Sequence, residues 1–405
     1  MNRSVVVVSM AAWTPYGRGL DTFWKGLVSM HSSRGDIARL DVSHWAYRSK
    51  IAAGIPDLPG DASGDDHCAH EIMERVVSDA VAGLAVPAGD LSPYDVGLCL
   101  GSSHGGATGR FVNFLRGRLG HAVEPELTVS NTWLSSAAFL SDLAAHLGAQ
   151  GPSAMISTAC ASGTSSIGIA YDWIRHGRAT RVFAGGYGYF SDISVTGFNV
   201  LRLVGKNGCR PFDVGRDGMM LGDGFALVAL EDEEFARRRG ASIVARVIGY
   251  CAVNEAYHPT SPDPSGDTAL RAMWNALGKS AERLDRLGYI NAHGTGTEAN
   301  DKAELTAIRR LLSGRRSDAP VGVSSTKGHH GHSLGATGSV EFVAMLLALQ
   351  RGCVPATLGL ENPEPDFADI DLVRGASRPQ EIQVALSNSF AFGGNAAAIA
   401  VERAD

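Results

Sequence analysis

Ser157-Thr158-Ala159-Cys160-Ala161-Ser162-Gly163-Thr164-Ser165-Ser166-Ile167-Gly168 sets a cysteine between two apolar segments of different period. Upstream, Ser153-Ala154-Met155-Ile156 follows a Gly151-Pro152 turn and reads as a buried strand. Downstream, Ile167 to Ile174 carries apolar residues at helical spacing, and the Ser/Thr/Gly cluster supplies helix-start chemistry. Cys160 is therefore expected where a strand gives way to a helix, at the helix's positive end. Unpaired N–H groups and the macrodipole favour the thiolate there. A free cysteine is also commonly a small buried hydrophobe, so this segment alone leaves both roles open.

The chain has 405 residues, more than one core usually organises, so two domains or two halves of a pseudo-repeat are expected. Hydrophobic content of 44%, 49 glycines and 19% charged residues fit an α/β protein with many tight turns. A net charge of −6 gives no support to nucleic-acid binding. Six scattered cysteines without a CxxC pair argue against zinc or a disulfide framework and fit a reducing compartment. The apolar start, Val5 to Val8, is too short for a signal peptide, and no run reaches the length of a membrane span. A cytoplasmic location is the expectation.

Buried strands are predicted at Val5–Met10, Val96–Leu100, Arg181–Tyr187 and Phe225–Leu230, with helices at Thr22–Val28, Ala69–Leu84 and Asp232–Arg239. Residues 30–65 read as a polar surface excursion. Gly101-Ser102-Ser103-His104-Gly105-Gly106 lacks phosphate-loop spacing, so it is read as a tight turn with His104 a plain loop residue. At Ile243–Gly249 the order of elements starts over, through a helix at Thr268–Leu277 and a strand at Leu287–Ala292. The boundary is placed to divide the chain into 1–245, carrying Cys160, and 246–405. Alternating buried strands and helices imply α/β layering, and the lack of a linker implies one rigid body.

Three segments of the second half look built for a site. Tyr289-Ile290-Asn291-Ala292-His293-Gly294-Thr295-Gly296-Thr297 ends a strand in a histidine with glycines around it. Val323 to Gly338 holds Lys327, His329, His330 and His332 ahead of a helix, and Leu386 to Asn395 breaks a strand into Phe390-Ala391-Phe392-Gly393-Gly394. Adjacent His329 and His330 diverge on most backbones and no acidic residue has ligand spacing, so no metal is expected. A cysteine with histidines fits acyl-thioester chemistry better: the thiol carries an acyl group while imidazoles polarise a carbonyl or stabilise an enolate.

Six motifs in this order carry a resemblance. They are Thr158-Ala159-Cys160; Arg210-Pro211-Phe212-Asp213 with Arg216-Asp217-Gly218; and Ala256-Tyr257-His258-Pro259-Thr260-Ser261-Pro262. Asn291 to Thr297, Lys327 with Gly331-His332, and Phe390 to Gly394 complete them. The chain resembles the β-ketoacyl-acyl-carrier-protein synthases, elongating condensing enzymes of the thiolase superfamily. That resemblance implies an α/β thiolase fold: two similar halves, each a five-stranded sheet between helices, layered αβαβα. It implies that Cys160 accepts an acyl chain from a carrier-protein phosphopantetheine, with no cofactor of the enzyme's own. His293 and His332 would bind the malonyl thioester and promote decarboxylation, with Lys327 and Glu304 orienting the histidines. The N–H groups of Cys160 and Phe392 would form an oxyanion hole. Thr295 and Thr297 would hold the pantetheine arm, and Phe390, Phe392 and Gly393 would line the substrate, Phe392 as gate.

The implied partners are an acidic acyl carrier protein, met by a basic rim from Arg202, Lys206 and Arg210, and a second subunit. That subunit is either an identical copy or a chain-length-factor-like partner, docked through the strand near Arg181–Tyr187. Tyr187, the short link from Arg202 to Cys209, and Asn395 depart from the family pattern and lean toward a type II polyketide or polyene system. A thiolase would carry a second cysteine near the C-terminal glycine turn, and none follows Cys353. A chain-length-determining subunit would lack Cys160, and a dinucleotide oxidoreductase would need a fingerprint loop that is missing.

Overall fold

Strand β1 (Val5–Thr14) is buried along nearly its whole length, as happens when helices cover both faces of a sheet. Val5 and Val7 enter a central core, while Val6 and Val8 enter an outer one. The computed structural model describes residues 2–40, 42–43, 46–56, 66–84, 91–103 and 136–404; His104 and the glycines after it lie outside them.

Strands β2 (Val96–Gly101), β3 (Ser153–Ile156), β4 (Arg181–Gly188) and β5 (Gly224–Asp232) join β1 in the spatial order β3-β2-β4-β5-β1. Strands β6 (Ala245–Asn254), β7 (Leu287–Asn291), β8 (Gly322–Ser324), β9 (Val384–Ala391) and β10 (Asn395–Glu402) follow the order β8-β7-β9-β10-β6. Both orders run third-second-fourth-fifth-first. The pairings repeat as well, two parallel and then two antiparallel. Where two separate sheets were expected, Val5–Val7 pair with Ala245–Val247 and make one continuous path of strands.

Helices α1 (Leu20–Val28), α2 (Asp66–Ala82), α3 (Ser136–His146), α4 (Ser162–Arg175) and α5 (Asp192–Val200) belong to the first half. The second contributes α6 (Asp267–Ala276), α7 (Glu298–Leu312), α8 (Lys327–His330) and α9 (Thr337–Arg351). Helices α2 and α3 pack on the outer face of the first half, and α6 and α7 on that of the second. Between the sheet halves lie α4 and α9, and every residue of α9 from Thr337 to Leu349 is buried. A helix covered on all sides can be apolar all round, which is why its sequence shows little amphipathic period. Five layers result, as the resemblance implied.

Three expectations are corrected. Strand β4 pairs on both sides, with β2 and β5, so it offers no free edge to a second subunit; β3 is the edge strand of this half. Tyr187 is a core residue, stacked on Phe139 at 4.6 Å and Phe225 at 6.4 Å, so its departure concerns packing. The excursion after residue 30 is anchored: Ile37, Leu40 and Ala52 are buried against Phe190, Val195 and Leu221. These contacts are non-local and leave no period in the sequence to read. Among the described residues no helix is long and apolar enough to cross a membrane, and none of the six cysteines is in a disulfide.

The central helices touch at equivalent places. A Cβ on Gly163, second residue of α4, would lie 2.6 Å from the Ser339 nitrogen. One on Gly338, second residue of α9, would lie 2.1 Å from Thr164 Oγ1 and 2.7 Å from the Thr164 nitrogen. Backbone cannot yield as a flexible side chain can, so Gly338→Ala should lower stability by about 1–3 kcal/mol. Urea unfolding with an unchanged midpoint would contradict this close approach.

Candidate active site

Cys160 tops a sharp turn between β3 and α4. Ala159 adopts a left-handed conformation (φ 51°), uncommon for a residue with a Cβ. Ser162 holds the turn: its Oγ accepts from the Thr158 N–H at 2.9 Å and donates to the Ala159 carbonyl at 2.6 Å. The thiol meets a cavity of about 350 Å³ that His293 and His332 also line. Cys160 and the two histidines, 133 and 172 residues apart from it in sequence (293 − 160 and 332 − 160), are thus brought together.

His293 leaves the end of β7. Glu304, on α7, accepts from the His293 N–H at 2.8 Å and the Gly294 N–H at 2.7 Å, fixing the loop by its backbone. His332 follows α8 and is held by strand-like pairing: its N–H donates to the Met220 carbonyl at 2.7 Å, and its carbonyl accepts from the Gly222 N–H at 3.0 Å. The two rings lie 5.6 Å apart at 89°, and Phe390 packs on His293 at 5.8 Å.

The ring nitrogens that face the protein are occupied. Lys327 Nζ lies 3.2 Å from His293 Nδ1, and it also donates to the His293 carbonyl and, at 2.5 Å, to Glu341 Oε1. His332 Nδ1 accepts from the Leu334 N–H at 3.0 Å and lies 2.8 Å from Thr337 Oγ1. An ammonium and an amide can only donate, so both Nδ1 atoms are acceptors. The hydrogen-bond network thereby assigns each neutral ring's proton to Nε2, the nitrogen left for the cavity.

Burial, then the Lys327 charge, then the neighbouring imidazole hold His293 well below its ordinary value; burial, Lys327 and His330 do the same for His332. Both are neutral at pH 7. Burial raises Cys160 to about 11, outweighing the lowering by Lys327 and by its own backbone N–H. The thiolate expected at the helix mouth is therefore not the resting form. Helix α4 begins two residues beyond the sulfur, and enclosure outweighs its dipole.

Other candidates separate. Thr295 and Thr297 line the cavity with their hydroxyls 2.8 Å apart. Phe392 lines it too, against Phe198 at 5.9 Å, whereas Gly393 makes the turn (φ 78°) and its N–H goes to the Pro259 carbonyl. Arg202 is exposed on the rim; Lys206 is exposed off the cavity, and Arg210 donates to the Gly215 carbonyl. Asp217, Glu255, Asp263 and Glu298 also line it, so the expected basic rim reduces to Arg202 beside buried Arg216.

His329 and His330 diverge, one to the Ala356 carbonyl and one to Thr326 Oγ1. A separate cluster of His70, Glu74 and Asp142, within 4.8 Å of one another, lines no part of the cavity; His70 Nε2 lies 2.7 Å from Asp142. Glu304 and Lys327 both hold His293, one through the loop backbone and one through the ring and carbonyl. Sequence reasoning missed Glu341, which pairs with Lys327. Its signal was there: a single carboxylate inside the apolar run Ser339 to Leu347 needs a buried cation.

Two family models match the chain: "Beta-ketoacyl synthase, N-terminal domain" over residues 2–236 and "Beta-ketoacyl synthase, C-terminal domain" over 244–361. A Synechocystis protein named 3-oxoacyl-[acyl-carrier-protein] synthase 2 is 33% identical over 99% of this chain and 98% of its own. The tetracenomycin polyketide synthase ketoacyl synthase alpha subunit of Streptomyces glaucescens is 33% identical over 99% and 97%. Among solved structures, a type II polyketide ketosynthase bound to its acyl carrier protein superposes with a TM-score of 0.89 at 26% identity, covering 100% of both chains. A Burkholderia phymatum β-ketoacyl synthase gives 0.87 at 27%, again with 100% of both chains covered.

With its pKa near 11, Cys160 should be alkylated by iodoacetamide at a rate still climbing at pH 9. A plateau below pH 8 would contradict the raised thiol pKa. Four buried imidazoles (His293, His329, His330, His332) lie below their ordinary 6.5, so the unfolded chain binds the extra protons and stability falls as pH drops below about 6.5. Glu304 and Glu341, raised by burial to about 7 from 4.5, and Asp301, also raised by burial, oppose this, three buried groups against four. Melting temperatures should therefore fall from pH 6.5 to 5; a rise over that window would refute the neutral cluster.

Proposed function

The chain belongs to the β-ketoacyl synthase family, and from that premise we propose that it condenses a carrier-bound acyl group with a malonyl unit. The Cys160 thiol attacks an acyl-carrier-protein thioester, and its proton leaves with the departing pantetheine thiolate. The acyl group then stays on sulfur. A malonyl thioester next places its carbonyl oxygen between the Nε2–H groups of His293 and His332, and carbon dioxide departs as negative charge builds on that oxygen. The enolate carbon attacks the acyl-Cys160 carbonyl, the thiolate leaves and takes up a proton, and a β-ketoacyl chain two carbons longer is released on its carrier.

The observation that carries this reading is the pair of neutral imidazoles whose Nδ1 atoms are occupied within the protein, beside a cavity shared with Cys160. A donor aimed at a developing oxyanion contributes on the order of 3 kcal/mol, about 100-fold in rate. Lys327 keeps His293 in the donating tautomer, and Glu304 holds the loop that presents it. For the tetrahedral intermediate at Cys160, the N–H groups of Cys160 and Phe392 serve as the oxyanion hole. Thr295 and Thr297 hold the pantetheine arm, and Arg202 meets the carrier protein. Substrates arrive as thioesters, so the cycle needs no resident cofactor.

The carrier protein and a second subunit of the same fold, identical or chain-length-factor-like, are the partners of this reading, in the cytoplasm. A purely channel-shaping role is disfavoured by the strained turn that presents Cys160. A relative named 3-oxoacyl-[acyl-carrier-protein] synthase 2 and a polyketide ketoacyl synthase alpha subunit match at the same 33% identity, so the proposal rests on the reaction they share.

Intact-mass spectrometry after incubation with acyl carrier proteins should show an acyl adduct that is lost in Cys160→Ala; an adduct surviving that substitution would sink the assignment. His293→Ala and His332→Ala should still accept acyl groups but release carbon dioxide from malonyl carrier protein about 100-fold more slowly. Full decarboxylation in both variants would remove the proposed role.

A further inference from the structure

The chain segment after α1 reaches across the cavity wall that bears His332. Ser33 donates through both its N–H and Oγ to the His329 carbonyl. Ala53 pairs with the 219–223 segment: its N–H donates to the Leu221 carbonyl at 2.8 Å, and its carbonyl accepts from the Asp223 N–H at 2.9 Å. That segment in turn pairs with His332 on its other side, through Met220 and Gly222. Residues 32–40 and 46–55 thus form a strap bonded to both neighbours of the histidine, the α8 turn before it and the strand-like segment beside it.

Of the two ion pairs that hold the strap, Arg39 with Asp223 is the more deeply buried and Arg48 with Asp217 the more exposed. Arg39 reaches Asp223 with two N–H groups, donates to the Phe190 carbonyl at 2.8 Å and lies 3.5 Å from the centre of the Phe190 ring. Asp223 is wholly buried and also accepts from the N–H groups of Phe190 at 3.1 Å and Ile55 at 2.9 Å. A buried carboxylate with a bidentate guanidinium and two amides is fully satisfied and has one geometry. Asp223 stands at the end of the 219–223 segment, so its position sets that of Met220 and Gly222. Neither Arg39 nor Asp223 lines the cavity, so neither touches substrate.

We infer that the Arg39–Asp223 pair is a latch through which the strap positions His332, making Arg39 a positioning residue for decarboxylation and not for acylation of Cys160. This rests on the functional reading above. His293 is held separately, by Glu304 and Lys327, and Cys160 by Ser162. Release of the latch should therefore displace one of the two Nε2–H donors and leave the nucleophile in place. Misplacement of a catalytic group by about 1 Å costs up to about 100-fold in rate.

The test compares Arg39→Ala and Arg39→Lys with wild type in the full chain. Asp223→Asn, which keeps the volume and one acceptor, is a second lesion of the same latch. Hydrogen–deuterium exchange should quicken in the peptides covering 219–223 and 331–334, with 293–297 and 158–162 unchanged. In Arg39→Ala the kcat for malonyl-carrier decarboxylation should fall about 10-fold or more. KM and the rate of Cys160 acylation should stay within about twofold of wild type, and Arg39→Lys should recover part of the loss. Equal loss of acylation and decarboxylation, or unchanged exchange at 331–334, would overturn the latch. A wild-type protein that does not decarboxylate would refute the functional reading instead, and the exchange measurement, which needs no substrate, reads the latch independently.

Discussion

The approach of α4 and α9 is the constraint on which the site depends. Each central helix follows the third strand of its half, and each carries a glycine at its second residue where the other helix comes closest. Cys160 lies two residues ahead of one helix and His332 five residues ahead of the other. A side chain at Gly163 or Gly338 would hold the two N-terminal ends apart and move the thiol from the imidazole. Close contact between the halves of the repeat therefore has a chemical purpose as well as a packing one.

A second consequence follows from depth. Lys327 and Glu341 are both fully buried and paired at 2.5 Å, an arrangement whose desolvation cost offsets most of its Coulomb attraction. Its return is electrostatic control: a fixed ammonium beside His293 and near His332 opposes protonation of both rings. The same charge eases ionisation of Cys160, although burial still dominates there. One cation thus keeps the imidazoles neutral and donating while it moderates the cost of using the thiol.

Much of this was legible in the chain. Alternating buried strands and helices are local patterns, so β1, β2, β5, α4 and α6 were anticipated to within a few residues at most ends. Cys160, His293, Lys327 and His332 stand in short motifs whose glycines report a backbone turning beside a reactive group. Less local features were not legible. The resemblance pointed to Arg181–Tyr187 as the docking strand, but which strand ends the sheet depends on strand order, and burial on both faces looks the same in sequence for every strand. Residues 30–65 read as surface because Arg39, Ser33 and Ala53 find partners 151 to 296 residues away, too far for any periodicity to register.

The amino-acid sequence by itself determined the element types and the short motifs that carry Cys160, His293 and His332, because each depends on near neighbours along the chain. Tertiary structure alone decided which carboxylate meets Lys327, which nitrogen of each histidine carries the proton, and that the cysteine rests as a thiol. Those properties depend on burial and on partners brought in from other segments. The free energy of a charge or a proton is set by what surrounds it in space, and the order of residues along the chain does not contain that distance.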